Sequence, residues 1–243
     1  GYGQKVSVFV RGAATKHTLV LVDGVRISDA NSGDVSFTNI PVNSIERIEV
    51  VKGARAAIYG SDAIAGVINI ITREAQQHQV NVTTGAHNYF NLQGTTKFSR
   101  DNLDVSVNFG FERTDGYDVI AKDPEAIIGK DHDQDGYLNR NLGVNLNYDA
   151  DQFGVFKVIG QFSSGQADYD NAWGNDAYNF ENFTSKLGWE KKTAQFTHTA
   201  AISLSQEENT QTGTDAEDVY STERTELEYR TLYTLNDEVQ LTA

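Results

Sequence analysis

The second half of the chain alternates apolar and polar residues with a period of two. Between residues 103 and 111, Leu, Val and Phe alternate with Asp, Ser, Asn and Gly. Such alternation gives a β-strand one apolar face and one polar face. Repetition of the pattern predicts about eight strands, with a ninth beginning at Val239. The predicted strands span residues 79–84, 90–99, 103–114, 142–148, 156–162, 178–190, 196–204 and 219–235.

The first part of the chain has a different pattern. Residues 44–74 contain two short apolar runs, separated by a turn region with Gly53, Gly60 and Gly66 nearby. Glycine allows tight reversals and close approach of another backbone. Together with the aliphatic run upstream, which includes Val20 and Val22, this segment predicts a small sheet. We therefore predict one domain over residues 1–76, a boundary near 76–78, and a second domain over residues 77–243.

The predicted strands are joined by connections that alternate between short and long. Short polar turns are expected at 100–102, 149–152, 191–193 and 236–238, and long polar loops at 115–136, 165–177 and 207–218. An antiparallel meander of this kind is typical of an outer-membrane β-barrel, and a soluble sandwich is the alternative. The chain has no run of 18 apolar residues, which excludes a transmembrane helix but not membrane-spanning strands.

Composition narrows the possible functions. A formal net charge of -14 argues against a nucleic-acid partner, because phosphate binding requires clustered Lys and Arg. The chain has no cysteine, so disulfides and thiolate chemistry are excluded. The sequence contains no catalytic motif such as HExxH or GxSxG, and we predict that it is not an enzyme. Because strand patterns reach both termini and no starting methionine is present, we expect an internal piece of a longer protein.

Three aspartates form the strongest candidate for a metal site. Asp131, Asp133 and Asp135, followed by Gly136, match the opening D-x-D-x-D-G of a calcium loop. Carboxylates that converge in this way are favourable when a hard cation neutralises their repulsion. Leu142 occupies the position at which an EF-hand requires Glu, so further ligands would have to come from neighbouring loops. The alternative is ordinary solvated loop charge.

Residues 1–74 resemble the plug domain of TonB-dependent outer-membrane receptors. The resemblance rests on FVRG at 9–12, LVLVDGV at 19–25 and the ordered block IERIEVVKG, AIYGSDAIAGVINIITRE within 45–74, although Ala54 stands where the family usually has proline. It implies a mainly β fold, in which an α+β plug is followed by part of an antiparallel transmembrane β-barrel of about 22 strands in intact members. It also implies the outer membrane of a Gram-negative bacterium.

Within that family, three acidic motifs are similar to those of cobalamin (vitamin B12) receptors. They are DGYDV at 115–119, DHDQDGYL at 131–138 and DYDNAW at 168–173. The resemblance implies a transporter that binds cobalamin at the cell surface and imports it with TonB-coupled energy. Outer-membrane lipid or lipopolysaccharide is a further implied partner. The alternatives are a siderophore or haem receptor of the same family, a passive porin, and a soluble calcium-binding module.

The resemblance also implies two sets of site residues. Calcium ions would order the outer loops through Asp118, Asp131, Asp133, Asp135, Tyr169, Asp170 and Asp176. Ligand contacts in the plug would lie at Lys5, Ser7, Ala14, Ser32 and Gly33.

Overall fold

The computed structural model consists of two β-sheets that follow one another along the chain. The first, the plug sheet, has four strands in the order β2-β1-β4-β3. These strands are β1 (Thr18–Val22), β2 (Val25–Arg26), β3 (Ile45–Val51) and β4 (Gly66–Thr72). Short 3-10 helices lie at Thr15–His17, Phe37–Asn39 and Val42–Ser44. The structure describes residues 3, 6–10, 12–29, 32–53, 56, 59, 63–118, 134–171, 174–212, 217–235 and 240–242.

The core of the plug sheet forms around β1 and β4, which pair in parallel. Both strands are apolar because each is covered on two faces, as expected for the centre of a parallel arrangement. Val20 and Ile68 pack in one buried cluster, and Leu21 and Val67 pack in another on the opposite face. The edge strand β3 pairs with β4, but its Ile48 and Val50 are about half exposed, since no described residue covers that face.

The second sheet, the wall sheet, has nine strands in which each pairs with its neighbour in the chain. It confirms the predicted antiparallel meander of eight strands and a short ninth. The strands are β5 (Gln79–Thr84), β6 (Phe90–Arg100), β7 (Leu103–Thr114), β8 (Tyr137–Asp149), β9 (Val155–Asn171), β10 (Gly174–Lys192), β11 (Phe196–Thr212), β12 (Glu217–Thr234) and β13 (Gln240–Thr242).

Two of the predicted long loops are wrong in extent. The segments expected to be loops at 165–177 and 207–218 belong largely to β9, β10 and β11. The backbone pairing continues there, for example between Asp168 and Ala177, although large aliphatic side chains are absent from both segments. The alternation of apolar and polar residues therefore ends before the strands do. Of the predicted loop at 115–136, residues 119–133 lie outside the described residues.

The wall sheet faces the plug sheet with one set of alternate residues. On β8, Tyr137 and Asn139 are buried and hydrogen-bonded to the plug, whereas Leu142 on the other face is half exposed. This orientation follows from the period of two in a strand. In the part of the chain that the structure describes, no helix is both long and apolar enough to cross a membrane.

Candidate cation and ligand site at the rim

The rim is the end of the wall sheet at which β7 ends, β8 begins, β9 ends and β10 begins. The plug touches the wall near the rim, where Tyr137 Oη donates a hydrogen bond to Thr38 O at 3.0 Å. At the opposite end, Gln161 Nε2 donates to Thr72 Oγ1 at 3.2 Å. We call residues 14–17 and 28–36 the plug apex. Strand β1 begins at the end of the plug sheet that is remote from Thr72, and the plug apex therefore faces the rim.

Backbone pairing brings three of the predicted cation ligands to the rim on adjacent segments. The amide of Asp135 donates to Tyr117 O at 3.5 Å, which places Asp135 beside the segment that carries Asp118. On its other side, the amide of Asp168 donates to Gly136 O at 2.9 Å, so Tyr169 follows at the next position of β9. Asp118, Asp135 and Tyr169 therefore belong to three neighbouring segments at one end of the wall.

Asp135 is the most buried of these groups, with 2% of its surface exposed. A buried carboxylate is stable as an anion only with a positive charge or several donors near it. The three described residues supply only oxygen donors, which is the chemistry that calcium prefers. The donor set at this end of the wall therefore fits a hard cation.

The remaining predicted cation ligands cannot be placed in this way. Asp131 and Asp133, and the side chains of Asp170 and Asp176, lie outside the described residues. On the backbone, Asp176 pairs with Tyr169 across β9 and β10. Among the described residues alone, no group of three or more His, Cys, Asp or Glu side chains could hold a metal ion. The calcium site stays a prediction.

Gly116 is a structural determinant of the rim that the sequence pattern did not single out. Its φ is +73°, in the region that favours glycine. A Cβ at this position would overlap the carbonyl group of Asp135. Gly116 therefore lets the end of β7 lie against the segment that begins β8, and a larger residue would push Asp118 away from Asp135.

A second polar contact fixes the chain just after β7. Asp115 accepts hydrogen bonds from Asn88 Nδ2 at 2.6 Å and from Arg113 Nη2 at 3.2 Å. These donors, Asn88 first, hold the pKa of the Asp115 carboxyl below its ordinary value. Asp115 therefore remains ionised and ties the connection between β5 and β6 to the end of β7.

The plug apex gathers several of the predicted ligand contacts. Ser32 and Gly33 lie in a tight loop, in which both amides donate to Asp29, at 2.7 and 2.8 Å. Gly33 lies against Lys16, and a Cβ on Gly33 would be 3.1 Å from Lys16 Cβ. Ala14 immediately precedes the helix that contains Lys16. The N–H groups of Ser32 and Gly33 are thus already paired, which leaves side chains and carbonyl groups for a ligand.

Of the two other predicted ligand contacts, Ser7 belongs to the described residues and Lys5 does not. Ser7 is exposed, and its neighbour Val8 is fixed by a hydrogen bond from its amide to Thr15 Oγ1 at 2.9 Å. Ser7 therefore immediately precedes a residue that is hydrogen-bonded to the apex. Lys5 lies outside the described residues. The apex also carries the exposed basic side chains of Lys16 and His17, which no sequence motif singles out.

A cavity separates the plug from the wall beneath the apex. Its volume is about 80 Å³, and its lining includes Val22 and Val35 of the plug and Gln161 and Ser163 of the wall. A water molecule requires about 10–15 Å³ by this measure, so the cavity holds only a small number of waters. A large ligand therefore does not fit in this cavity.

A hydrogen-bond cluster attaches the plug to the wall just below the rim. Asn139 is 1% exposed, and its Nδ2 donates to Asn39 O at 3.3 Å and to Tyr137 Oη at 3.0 Å. Tyr178 Oη lies 2.8 Å from Gly3 O and 3.2 Å from Asn39 Oδ1, and its one proton is shared between these two acceptors. Because these groups are removed from bulk water, each unpaired donor or acceptor would be costly. The cluster therefore holds the helix Phe37–Asn39 against the wall.

A second attachment lies at the other end of the plug. Lys157 Nζ donates to Glu74 Oε1 at 2.8 Å, and this hydrogen bond is the main cause that lowers the pKa of Glu74. Nearby, Asp23 accepts hydrogen bonds from the amide and hydroxyl of Thr72, at 2.9 and 2.6 Å. Burial nevertheless raises the pKa of Asp23, because desolvation outweighs these hydrogen bonds.

Comparison with known proteins identifies relatives of both sheets. Residues 1–67 match the family described as the TonB-dependent Receptor Plug Domain. The chain is 32% identical over 99% of its length to the "Vitamin B12 transporter BtuB" of Photobacterium profundum, of which it covers 40%. It is 39% identical over 70% of its length to the protein of the same name from Vibrio vulnificus, of which it covers 28%.

A solved structure has the same fold at lower identity. A mutant of the ferric enterobactin receptor PfeA of Pseudomonas aeruginosa, in complex with enterobactin, superposes with a TM-score of 0.71 at 18% identity. The match covers 99% of the present chain and 42% of that receptor. The chain therefore spans less than half the length of the relatives that it matches.

Proposed function

This chain belongs to the TonB-dependent receptors, and we propose that the receptor containing it imports cobalamin into the periplasm. Receptors of this family are transport proteins of the Gram-negative outer membrane and are not enzymes. The observation that carries the proposal is the identity of 32% with a vitamin B12 transporter over 99% of the chain. That match includes the acidic segments at the rim as well as the plug.

In this proposal, the rim faces the outside of the cell and cobalamin rests on the plug apex beneath it. The small volume of the cavity below the apex supports a surface site for so large a ligand. Lys16, Ser32 and Gly33 are adjacent at the apex, and a ligand at this place would meet side chains and carbonyl groups there. The rim segments would close over it from above.

Calcium has the role of ordering the rim segments. Asp118, Asp135 and Tyr169 lie on three neighbouring segments, and Asp131, Asp133, Asp170 and Asp176 would complete the set of ligands. A divalent cation between these carboxylates would offset their mutual repulsion and hold the segments in one arrangement. Ordering before the ligand arrives lowers the entropy cost of binding.

Import requires the plug to move, and TonB of the inner-membrane complex supplies the energy. The plug is attached to the wall by polar contacts at both ends, through the cluster around Asn139 and through Lys157 and Glu74. Such contacts can exchange for water one at a time as the plug is pulled. The likeness to the siderophore receptor supports the fold alone, since the identity is 18%.

Equilibrium binding of cyanocobalamin to the purified receptor, with calcium and with a chelator, tests the proposal. Replacing Asp135 by Asn removes one charged ligand, and we expect the calcium concentration required for half-maximal effect to rise at least about tenfold, or about 1.4 kcal/mol. Asp118→Asn is expected to act in the same direction. Asp101→Asn is the matched control, because Asp101 is exposed in the turn at the opposite end of the wall.

The outcome that contradicts the calcium role is equal calcium dependence in the wild type and Asp135→Asn. The same shift in Asp101→Asn would also contradict it, because the effect would then be one of net charge. Absence of cobalamin binding to the wild-type receptor would overturn the choice of ligand.

A further inference from the structure

The apex loop, residues 28–36, is closed on itself by hydrogen bonds between its two sides. The amide of Asp29 donates to Asp34 O at 2.9 Å, and the amide of Gly33 donates to Asp29 O at 2.8 Å. The amide of Asp34 donates to Ser32 Oγ at 3.1 Å. These bonds determine the shape of the loop, but none of them reaches the wall. The position of the loop beneath the rim therefore depends on other contacts.

Both ends of the apex loop contact charged side chains of the wall. At the first end, Arg224 Nη1 of β12 donates to Ser28 Oγ at 3.5 Å. At the second end, Ser36 Oγ donates to Glu207 Oε1 of β11 at 3.4 Å. Each contact is long for a hydrogen bond and weak by itself. Together they attach both ends of the loop to two neighbouring strands of the wall.

The period of two in a strand turns both wall residues toward the plug. On β11, Glu207 is partly buried, whereas the next residue, Glu208, is exposed on the other face. On β12, Arg224 lies on the same face as Thr222, which is 7% exposed. Asn209 Nδ2, also of β11, donates to Glu207 Oε1 at 3.1 Å. The wall itself therefore orients Glu207 for its contact with the loop.

The carboxylate of Glu207 interacts with two charges of opposite sign. The guanidinium of Arg224 attracts it, and the carboxylate of Asp29, in the apex loop, repels it. Salt screens such interactions less in a partly buried interface than at an exposed surface. Arg224 therefore offsets the repulsion between the apex loop and β11, in addition to its contact with Ser28.

The register of these contacts continues one step farther from the rim. Arg26 precedes Ser28 by two positions, and Glu226 follows Arg224 by two positions. Arg26 Nε and Glu226 Oε1 lie 3.5 Å apart. Equal steps on the plug and on β12 are expected when two extended segments run side by side in opposite directions. The contacts of the apex loop thus belong to a longer match between plug and wall.

We propose that Glu207 and Arg224 are positioning residues for the ligand site at the plug apex, because they hold the apex loop in place from the wall. The loop then presents Ser32 and Gly33 in one position before the ligand arrives, which lowers the entropy cost of binding. Displacement of the plug breaks both contacts and weakens the site. The proposal rests on the proposed function in that it takes the apex as the ligand site.

Hydrogen exchange of the full-length receptor without ligand tests whether the wall holds the loop. The amides of Asp29 and Gly33 exchange when the loop opens. Loss of one contact in Glu207→Ala is expected to accelerate their exchange about fivefold. Arg224→Ala should accelerate it about tenfold, because the repulsion between Glu207 and Asp29 is then unopposed. Arg224→Lys retains the charge and should restore most of the protection.

The variant that combines Glu207→Ala with Arg224→Ala tests the charge argument. Removal of Glu207 also removes its repulsion of Asp29, so the combined effect should be well below the product of the two single effects. Glu208→Ala is the matched control, because it removes the same group from the exposed face of the same strand. Its exchange should equal that of the wild type.

Equilibrium binding of cyanocobalamin to the same variants tests the connection with the ligand site. We expect the Kd to rise about three- to fivefold in Glu207→Ala and more in Arg224→Ala, and to stay unchanged in Glu208→Ala. Exchange at the wild-type rate in both single variants, or faster exchange with an unchanged Kd, would overturn the proposal. If the wild-type receptor does not bind cyanocobalamin, the proposed transport function fails, and hydrogen exchange still decides whether Glu207 and Arg224 position the loop.

Discussion

Replacing Asn139 by Ala should loosen the plug beside the rim while leaving the wall folded. Asn139 is almost fully buried and takes part in hydrogen bonds with Asn39 O, Tyr137 Oη and Asn141 Nδ2, at 3.3, 3.0 and 3.3 Å. Of these three bonds, only the one to Asn39 O joins the wall to the plug, because Tyr137 and Asn141 lie on the same strand as Asn139. Its loss leaves the carbonyl of the buried Asn39 without this donor. An unpaired buried acceptor costs about 1–3 kcal/mol, and the middle of that range is about 2 kcal/mol. This free energy opposes local separation of Asn39 and its helix from the wall.

Hydrogen exchange in the intact receptor measures that separation. The amides of Asn39 and Ile40 donate to Ser36 O and Phe37 O, both at 3.1 Å, and exchange only when the helix Phe37–Asn39 opens. A loss of about 2 kcal/mol raises the opening equilibrium by about 30-fold. We therefore expect these two amides to exchange about 30-fold faster in Asn139→Ala.

Asn145→Ala provides the control for this prediction. Asn145 lies on the same strand and the same face, is equally buried, and its Nδ2 has no hydrogen-bond partner among the described residues. Its replacement should leave the exchange of Asn39 and Ile40 within about threefold of the wild type. The reasoning is refuted if Asn139→Ala exchanges at the wild-type rate, or if both variants accelerate exchange equally.

Three further predictions concern pH and packing. Burial raises the pKa of Asp23 above 3.8, so the plug should gain stability as pH falls through that raised pKa toward 3.8, and Asp23→Asn should remove the gain from the thermal midpoint. Lys157 lowers the pKa of Glu74 below 4.5, so stability should be lost as pH falls from 4.5 through the lowered pKa, and Glu74→Gln should flatten that loss. Identical pH profiles in variant and wild type would contradict either prediction. Gly165→Ala should lower the free energy of unfolding in urea by about 1–3 kcal/mol, because a Cβ there overlaps the backbone carbonyl of Leu138 on the neighbouring strand, which cannot turn away. Gly160→Ala on the same strand, with no described atom within 4 Å, should be tolerated, and equal effects would contradict the packing argument.

Most of the fold can be predicted from the sequence, because two patterns of apolar residues identify strands without any structural information. Period-two alternation identifies the wall strands wherever one face is apolar, as from Leu103 to Phe111. Continuous apolar runs identify β1 and β4, which are covered on both faces. Neither pattern locates the upper ends of β9 and β11, because backbone pairing continues there between polar side chains.

Less of the candidate site than of the fold can be predicted from the sequence. The spacing of Asp131, Asp133 and Asp135 indicates a cation, but it cannot show that Asp118 and Tyr169 lie on the flanking segments, which depends on register across three strands. The need for Gly116 also emerges only from the close approach of Asp135. At the apex, Ser32 and Gly33 were expected as ligand contacts, and the pairing of their amides with Asp29 could not be foreseen from residue types.

Competition between cyanocobalamin and ferric enterobactin for the receptor that contains this chain tests the central claim most directly. The account predicts that cobalamin binds in the presence of calcium and is not displaced by the ferric chelate. Chelation of calcium should weaken cobalamin binding at least about tenfold, because the acidic segments at the rim lose their counter-ion. Calcium-insensitive binding of the ferric chelate, without measurable affinity for cobalamin, would contradict it.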